Sequence, residues 1–503
     1  MSVTKLKYCC NGMWVDSKTG KWMDVYDPST GEVIAQAPCC TQEELQATID
    51  AAAAAYKSWS KTPVIRRTQI LFKFRDLVVE HMEELTKIVA RENGKVWSEA
   101  EGDILKVKEP VELACGAATL MQGESLMNTS TGYDSVLYRE PIGVFGGIVP
   151  FNFPGMIPFG WMAPLCIAAG NCIVLKSSSS TPMTSIRLLE LLQEAGLPAG
   201  VVSVITTDRN VADLLLTNPV IKGICFVGTT SVGLQVYSKA AANGKRVQAQ
   251  TEAKNHALVM DDAVLDRSAA GIINSAFGCA GERCMALPVV AAHENIHDKL
   301  VELLIAQAKT LKVGCAYDKA SQLGPVVNKA HYDRVTGWIE KGIKEGAKLV
   351  LDGRGIKVPG FEKGFYLGPT IFTNVTEDMS IGRDEIFGPV LCVKKVKSFE
   401  EGVKVINGNP FANGAVIYTS SGYHARNFSL EIDGGMVGVN VGIPVPVGMF
   451  PFSGHKQSFF GDLHCLGKDG IRFFTESKVV TSTWFTEESA NKKVDTWDGS
   501  VGG

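Results

Sequence analysis

Histidines are scarce in this chain, and long apolar runs are missing. Only eight of the 503 residues are histidine, and none of the 13 cysteines stands in a Cys-x-x-Cys pair. The sequence therefore predicts neither a structural nor a catalytic zinc site. The longest apolar stretch, roughly 156–169, contains two prolines and is short for a membrane span, so no membrane partner is expected.

The sequence also lacks a charge excess, a targeting signal and the cysteine spacing of a secreted scaffold. The net charge is −3, which gives no broad attraction to nucleic acid or to an anionic membrane. Residues 1–12 contain two lysines but no apolar core long enough for a signal peptide. An odd number of unpatterned cysteines is typical of a reducing compartment, so a cytoplasmic location is expected.

What is present is the composition of an ordinary globular protein, with 45% hydrophobic and 20% charged residues. A chain of 503 residues is too long for one small core and predicts two or three domains. Short strands are predicted over 6–40. Long helices follow, the first capped by Thr41 with Glu44 three residues later, the second after Pro63 and the third over about 98–121.

From Val144 the pattern changes to short apolar strands that alternate with helices, the first of these helices over about 155–169. The predicted strands are Val144–Val149, Cys172–Lys176, Val201–Ile205, Ile221–Val227 and Arg246–Thr251. Such alternation favours a parallel, doubly wound sheet, which binds ligands at the carboxyl ends of its strands. A second α/β unit begins near Asn255, so the predicted fold class is α/β.

Two stretches carry candidate chemistry. Phe226–Gly233 runs from a strand through a glycine turn into a helix, and a helix N-terminus favours a phosphate; a plain capped helix is an equally good interpretation. Phe277–Leu287 presents Cys284 beside Arg283. A neighbouring cation lowers the pKa of a thiol and makes it a better nucleophile, although a buried structural cysteine is the usual alternative.

Taken together, four motifs resemble those of the aldehyde dehydrogenase superfamily in order and spacing, over about residues 6–485. They are Ile148–Pro154, Phe226–Gly233, Gly281–Cys284 and Glu385–Pro389. Within the superfamily the chain is most similar to the coenzyme A-acylating, methylmalonate-semialdehyde branch. That likeness is carried by Ala253–His256, Arg283–Leu287, Phe450–Gly454, Ser458–Asp462 and Gly467–Gly470.

The resemblance implies two doubly wound α/β domains with a small β extension for oligomerisation. It implies an NAD(P)-binding domain at 1–125 and 145–255, a catalytic domain at 256–445, and an oligomerisation extension at 126–144 and 470–490. A homo-oligomer, either a dimer or a tetramer, is expected.

The resemblance also implies the chemistry. Cys284 would attack the aldehyde carbon, while Asn152 and the backbone N–H of Cys284 hold the oxyanion. Hydride would pass to NAD or NADP and leave a thioester, which coenzyme A or water releases. Cofactor contacts are expected at Val149, Phe151, Lys176, Ser179, Ser180, Thr229, Thr251 and Glu385. Ser179 stands where the family usually has a glutamate that repels a 2′-phosphate, so we expect NADP to be accepted.

Two departures from the family pattern concern release of the acyl group. Gln250 stands where hydrolytic relatives carry a glutamate base, and an amide cannot deprotonate water, which favours transfer to coenzyme A. Glu252 stands where the family usually has glycine. It is a candidate displaced base; the alternative is a glutamate that faces solvent or pairs with Lys254.

Two residues are candidates for binding an anionic group on the substrate. Arg283 suits a carboxylate, and Lys106 replaces the second arginine of the branch. The alternatives are an ion pair between Arg283 and Glu282 or another acid, and a solvated helix face for Lys106.

The leading hypothesis is therefore an enzyme that converts a short anionic aldehyde, such as malonate or methylmalonate semialdehyde, to an acyl-coenzyme A. The enzymatic alternative is a hydrolytic aldehyde dehydrogenase with Glu252 as base. A third possibility is a non-catalytic binding protein on this fold, which the joint presence of Cys284, Asn152 and Glu385 disfavours.

Overall fold

The computed structural model describes residues 3–485 and 487; the end of the predicted extension, at 486 and 488–490, lies outside the described residues. The N-terminal part begins with short strands and continues with helices. These are β1 (Thr4–Lys5), β2 (Tyr8–Cys10), β3 (Met13–Val15), β4 (Trp22–Asp27), β5 (Glu32–Pro38), α1 (Gln42–Trp59), α2 (Val64–Glu80), α3 (Met82–Asn93), α4 (Trp97–Cys115) and α5 (Ala117–Leu120).

The start of α1 follows the predicted capping box. Thr41 Oγ1 accepts the N–H of Glu44 at 3.3 Å, and the Glu44 carboxylate accepts the N–H of Thr41 at 2.8 Å. The two longer helices predicted after it are each broken. α2 gives way to α3 at His81, and α4 gives way to α5 at Gly116.

The next part of the chain builds the first large sheet. Its elements are β6 (Ser125–Ser130), β7 (Tyr133–Pro141), β8 (Val144–Ile148), α6 (Ala163–Ala168), β9 (Cys172–Lys176), α7 (Met183–Glu194), β10 (Val202–Ile205), α8 (Arg209–Thr217), β11 (Ile221–Val227), α9 (Thr230–Ala242) and β12 (Arg246–Gln250). The strand order β10-β9-β8-β11-β12 is parallel throughout. All five predicted strands are present, with ends that differ by at most one residue.

The predicted helix over 155–169 is wrong in its first half. Ile157–Met162 forms a π-helical turn, and only Ala163–Ala168 is α-helical. Pro158 and Pro164 lack the N–H groups that a regular helix needs. Gly160 also packs so closely on α4 that a Cβ there would lie 2.9 Å from the carbonyl oxygen of Lys106.

The rest of the chain builds the second large sheet and afterwards contributes one strand to the first sheet. Its elements are β13 (His256–Val259), α10 (Leu265–Phe277), β14 (Val289–His293), α11 (His297–Thr310), α12 (Lys329–Lys344), β15 (Lys348–Leu351), β16 (Thr370–Thr373), α13 (Ser380–Arg383), β17 (Val390–Val396), α14 (Phe399–Asn407), β18 (Phe411–Ala412), β19 (Gly414–Tyr418), α15 (Gly422–Glu431), β20 (Met436–Val439), β21 (His455–Lys456), β22 (Phe459–Gly461), α16 (Gly467–Phe473) and β23 (Thr475–Thr483).

The order of the second sheet is β15-β16-β17-β14-β13-β19-β20, and only β15 runs antiparallel to its neighbour. Late in the chain, β22 pairs with β12 and extends the first sheet. A third, antiparallel sheet has the order β23-β7-β6. The predicted domain limits stay a prediction, and β22, at Phe459–Gly461, lies outside all of the predicted segments although it belongs to the first sheet. Among the described residues, no helix combines the length and apolar character needed to cross a membrane.

Candidate active site

The loop after β8 carries Asn152 and is held from several sides. The carbonyl oxygen of Phe151 accepts the Asn93 amide at 2.9 Å and the Thr181 hydroxyl at 3.1 Å. The Asn152 side chain is buried, and its Nδ2 donates to the carbonyl oxygen of Glu282 at 3.1 Å. Asn152 therefore lies against the loop between α10 and β14, residues 278–288, which we call the cysteine loop. The contact is at Glu282, two residues before Cys284.

A buried ion pair anchors the same loop to α4. Lys95 Nζ lies 2.9 Å from Asp103 Oδ2, and both side chains are almost fully buried. The other carboxylate oxygen of Asp103 accepts the N–H of Met156 at 2.8 Å. Lys95 also lies 3.5 Å from the centre of the Phe153 ring. The part of the loop that follows Asn152 is thus tied to one charged pair at Phe153 and at Met156.

We expect Asp103→Ala to destabilise the protein by about 3–5 kcal/mol, because Lys95 would remain buried and unpaired. Thermal unfolding measures the effect. The matched control is Asp333→Ala, which removes an exposed partner of Lys329 and is expected to cost under about 1 kcal/mol. Equal shifts in melting temperature for the two variants would contradict the anchoring role.

The cysteine loop begins with a strained left-handed turn. Cys279, Ala280 and Gly281 have φ values of 51°, 51° and 73°, which side chains with a Cβ rarely adopt. A Cβ at Gly281 would lie 2.2 Å from the carbonyl oxygen of Gly388, so only glycine fits there. The turn ends the run of α10 and presses the cysteine loop onto the segment that carries Glu385.

Two asparagines fix the backbone at Cys284. Asn255 Nδ2 donates to the carbonyl oxygens of Cys284 and Ala286, each at 2.8 Å. Asn413 Nδ2 donates to the carbonyl oxygen of Cys284 at 3.1 Å. These bonds fix the peptide groups that follow Cys284 and so hold the loop in place on the carboxyl side of the thiol.

Cys284, Arg283, Glu385 and Phe387 line one small depression. The thiol is half-buried, and burial raises its pKa to about 12, with the Glu385 carboxylate adding to the rise and Arg283 opposing it. Arg283 does lower the pKa of the Cys284 thiol, as expected, but burial raises it by more. Burial, with Glu252 adding to it, also raises the pKa of Glu385 to about 8, although Glu385 Oε1 accepts the N–H of Ala253 at 2.9 Å.

These pKa shifts predict the pH dependence of Cys284 alkylation by iodoacetamide. The thiolate is the reactive form, so below a pKa of about 12 the rate should rise roughly tenfold per pH unit across pH 6.5–9, without a plateau. Glu385→Gln removes the carboxylate that opposes the thiolate; because that carboxyl has a pKa of about 8, the reaction should speed up several-fold at pH 9 and little at pH 6.5. Peptide mass spectrometry follows Cys284 alone; a plateau near neutral pH would contradict the account.

Arg283 and Lys106 have separate partners. Arg283 Nη2 donates to the carbonyl oxygen of Asn274 at 2.6 Å, and the buried carboxylate of Glu99 lies close enough for the guanidinium to lower its pKa against the larger effect of burial. Lys106 Nζ lies 2.6 Å from Glu109 Oε2 on the exposed side of α4. The structure thus shows Arg283 beside the thiol, whereas Lys106 is engaged by its own helix.

Glu282 is not the partner of Arg283. Its carboxylate turns the other way, accepts the N–H of Val327 at 3.1 Å and lies 3.3 Å from His331 Nε2. His331 Nε2 also lies 2.6 Å from the carbonyl oxygen of Phe387 and donates to it. Burial lowers the pKa of His331 to about 4. This histidine joins the Cys284 loop to the Glu385 segment, and nothing in the local sequence around position 331 signals it.

A cleft of about 890 Å³ opens at the carboxyl ends of the first sheet. Lys176 and Ile148 line it from the strands, and Val232 and Arg209 line it from α9 and α8. Burial lowers the pKa of Lys176. The apolar wall, the cations Lys176 and Arg209 and the start of α9 fit a dinucleotide; a third cation of the lining, Lys239, is paired with Asp213. Arg209 is a cation of this cleft that the sequence reasoning missed.

The other predicted cofactor residues have varied positions. Thr229 precedes the first residue of α9, and its side chain makes no cap hydrogen bond. Val149 is buried, and Thr251 is buried with its hydroxyl donating to the carbonyl oxygen of Gln457 at 2.6 Å. Ser179 is half-buried after β9. Ser180 instead lines a second depression with Asp24, Tyr26 and Asn328, away from the side chains of the dinucleotide cleft.

Gln250 and Glu252 face different surroundings. Gln250 is buried, and its Nε2 donates to the carbonyl oxygen of Phe452 at 3.2 Å. The Phe452 ring packs on Trp161 at 4.5 Å. Glu252 Oε2 instead accepts the N–H of Thr230 at 2.8 Å, at the start of α9.

One histidine pair has the H-E-x-x-H spacing of a zinc site in the sequence, at His293 and His297. The structure separates the two rings, because His293 ends β14 and His297 begins α11. His297 Nδ1 lies 2.7 Å from Asp298 Oδ1. The motif needs both rings on one helical face, so this pair does not form it.

Comparison with known proteins decides the family. Residues 14–480 match the model of the aldehyde dehydrogenase family. The chain belongs to the aldehyde dehydrogenase family. It is 52% identical, over 96% of its own length and 99% of the relative, to malonate-semialdehyde dehydrogenase 2 of Geobacillus kaustophilus. It is 49% identical, over 95% and 98%, to malonate-semialdehyde dehydrogenase 2 of Bacillus anthracis.

Solved structures of aldehyde dehydrogenases agree. A putative methylmalonate-semialdehyde dehydrogenase from Sinorhizobium meliloti, in complex with NAD, superposes with a TM-score of 0.95 at 40% identity and covers 96% of this chain and 99% of that one. The methylmalonate-semialdehyde dehydrogenase of Oceanimonas doudoroffii gives the same score and identity over 97% and 100%. The predicted family, fold class and enzyme class are confirmed, which sets aside the non-catalytic alternative.

Proposed function

We propose that this aldehyde dehydrogenase oxidises malonate semialdehyde, or its methyl homologue, to an acyl-coenzyme A. The observation that carries the proposal is the set of contacts that the Gln250 side chain makes. A hydrolytic enzyme needs a base there, and the position holds a buried amide bonded to the Phe452 carbonyl, next to a Trp161–Phe452 stack. Water near an acyl group on Cys284 then finds no general base at this position, so the thioester remains for a thiol.

The reaction begins when the Cys284 thiol releases its proton to water and the resulting thiolate adds to the aldehyde carbon. The amide of Asn152 and the N–H of Cys284 hold the oxyanion, and Asn255 and Asn413 hold the next peptide group through the carbonyl oxygen of Cys284. NAD or NADP, when bound, supplies the hydride acceptor. Collapse of the oxyanion leaves a thioester on Cys284, and the thiolate of coenzyme A displaces the cysteine.

The substrate class follows from Arg283 and from the relatives. Arg283 lines the depression beside the thiol, where its guanidinium can bind a carboxylate. Loss of that carboxylate balances the reaction: malonate semialdehyde, coenzyme A and NAD⁺ become acetyl-coenzyme A, carbon dioxide and NADH. The named malonate-semialdehyde and methylmalonate-semialdehyde dehydrogenases among the relatives support this choice.

The hydrolytic alternative would need Glu252 as the base. Its carboxylate is bound at the start of α9, and the groups that act on the Cys284 thiol are Glu385, Arg283 and Lys95. The geometry therefore favours the acylating reaction.

The test is product analysis with malonate semialdehyde and either cofactor, with and without coenzyme A. The expected product is acetyl-coenzyme A, identified by mass spectrometry, and propanal, which lacks the carboxylate, should give a kcat/KM lower by roughly 10²-fold or more. Free acid formed at full speed without coenzyme A would refute the acylating function.

We expect the protein to use NADP as well as NAD. Ser179 presents no carboxylate to a 2′-phosphate, and Lys176 and Arg209 give the cleft two cations. Glu at position 179 would restore the repulsion, so Ser179→Glu should lower kcat/KM for NADP by roughly tenfold or more and leave the value for NAD nearly unchanged. A wild-type preference for NAD as strong as that of the variant would refute the idea.

We further propose that the protein is a cytoplasmic homo-oligomer that pairs through the β23-β7-β6 sheet. Apolar side chains on this sheet are exposed, including Met127 at 80% and Val479 at 62%, and an apolar patch of this kind favours association. All 13 cysteines are free thiols, which supports a reducing compartment. Light scattering with Val479→Asp tests the interface; an unchanged mass would contradict it.

A further inference from the structure

Glu252 is a carboxylate held at the start of a helix by a rigid backbone. The hydroxyl of Ser458 donates to its carbonyl oxygen at 2.7 Å, and the N–H of the preceding Thr251 donates to the carbonyl oxygen of Ser458 at 2.9 Å. From this fixed position, Glu252 Oε2 accepts the N–H of Thr230 at 2.8 Å. These hydrogen bonds of the backbone direct the carboxylate at the start of α9.

The site that Glu252 occupies is suited to an anion. Thr230 is the first residue of the 13-residue helix α9, whose free N–H groups carry partial positive charge. Thr229 makes no side-chain cap, so the cap comes from a residue 22 positions away in sequence. The same helix lines the dinucleotide cleft through Val232 and Gln235, and helix N-termini in such clefts bind phosphate groups.

We propose that the Glu252 carboxylate competes with the pyrophosphate of the cofactor for the N–H groups at the start of α9. This competition lowers the affinity of the protein for the cofactor. The inference rests on the proposed function, in which NAD(P) binds this cleft. Two anions cannot share the same N–H group, and each repels the other across a few ångströms. Cofactor binding therefore requires Glu252 to leave its hydrogen bond. The result is weaker binding and faster release of the reduced cofactor.

The geometry also places a second acidic residue near Glu252. Glu385 lies near enough for the Glu252 carboxylate to raise its pKa. Glu252 thus adds negative charge both at the start of α9 and near Glu385. A glycine at this position would add none.

The test is equilibrium binding of NAD and of NADP, measured by calorimetry on the full-length protein. Glu252→Gln keeps the shape and removes the charge, and it should bind both cofactors roughly three- to tenfold more tightly. The gain should shrink at high salt, because it is electrostatic. Glu252→Gly removes the side chain from the start of α9 and should also make the protein bind NAD and NADP more tightly.

Thermal unfolding supplies a second readout. Without cofactor, Glu252→Gln should melt below the wild type because the cap of α9 loses its negative charge; with saturating NAD the deficit should shrink or reverse, since the pyrophosphate supplies that charge. The matched control is Glu401→Gln. Glu401 Oε2 accepts the N–H of Lys397 at 2.7 Å at the start of α14. Its deficit should persist with NAD, and its dissociation constants should equal those of the wild type.

The outcomes separate the two claims. Tight binding of NAD or NADP to the wild type, with equal or weaker binding to both Glu252 variants, overturns the role of Glu252 and leaves the proposed function intact. Failure of the wild type to bind either cofactor overturns both.

Discussion

Replacing Cys284 with alanine is expected to remove aldehyde-dependent reduction of NAD, with kcat/KM falling by at least about 10⁴-fold. No other described thiol lines the depression with Arg283 and Glu385. Hydride leaves the substrate only after a nucleophile has made the aldehyde carbon tetrahedral, so the remaining oxyanion donors cannot replace the sulfur.

Two measurements make this result specific. NAD should bind to the Cys284→Ala variant with an unchanged dissociation constant, which shows that the cleft is intact. The matched control is Cys10→Ala, since Cys10 is the other half-buried cysteine and lies on β2 at the N-terminus; its activity should stay within about twofold of the wild type, as expected of a surface substitution away from the site. Substantial turnover by Cys284→Ala would contradict a cysteine mechanism.

Gln250→Glu should convert part of the activity to hydrolysis. A carboxylate in place of the Gln250 amide could take a proton from water near the Cys284 thioester, and a positioned general base contributes roughly 10²–10⁴-fold. The rate of free-acid formation without coenzyme A should therefore rise by about that factor. Its dependence on pH should follow the ionisation of the new carboxyl group. Mass spectrometry of the products separates acid from acyl-coenzyme A.

The control for this gain lies on the same strand. Gln248 is also buried on β12, and its Nε2 donates to the carbonyl oxygen of Leu463 at 2.9 Å. It faces the same side of the strand as Gln250 but lies two residues further from the loop. Gln248→Glu should produce no hydrolysis. Acid formation by both variants, or by neither, would contradict the role assigned to the Gln250 position.

Local patterns predicted the elements that position the site. The apolar runs located the five parallel strands of the first sheet, and Thr41 with Glu44 located the start of α1. The family motifs placed Cys284, Asn152 and Glu385, and the structure brings the segments that carry them together. These successes rest on information within a few residues of each element.

What could not be predicted depends on contacts between distant parts of the chain. Glu99 meets the N–H of Cys279 across 180 residues, and His331 meets Phe387 across 56. The left-handed φ at Cys279 and Ala280 is imposed by the packing of the loop and has no sequence signal. The rise in the pKa of Cys284 follows from burial, whereas the sequence shows only the neighbouring arginine.

The most direct test of the acylating account is a burst experiment. Enzyme is mixed with malonate semialdehyde and NAD in the absence of coenzyme A, and NADH is followed together with the intact mass of the protein. The account predicts that NADH forms in an amount equal to the active sites, that an acyl group appears on Cys284, and that turnover resumes when coenzyme A is added. Linear NADH formation without coenzyme A, at the same rate as with it, would contradict the account.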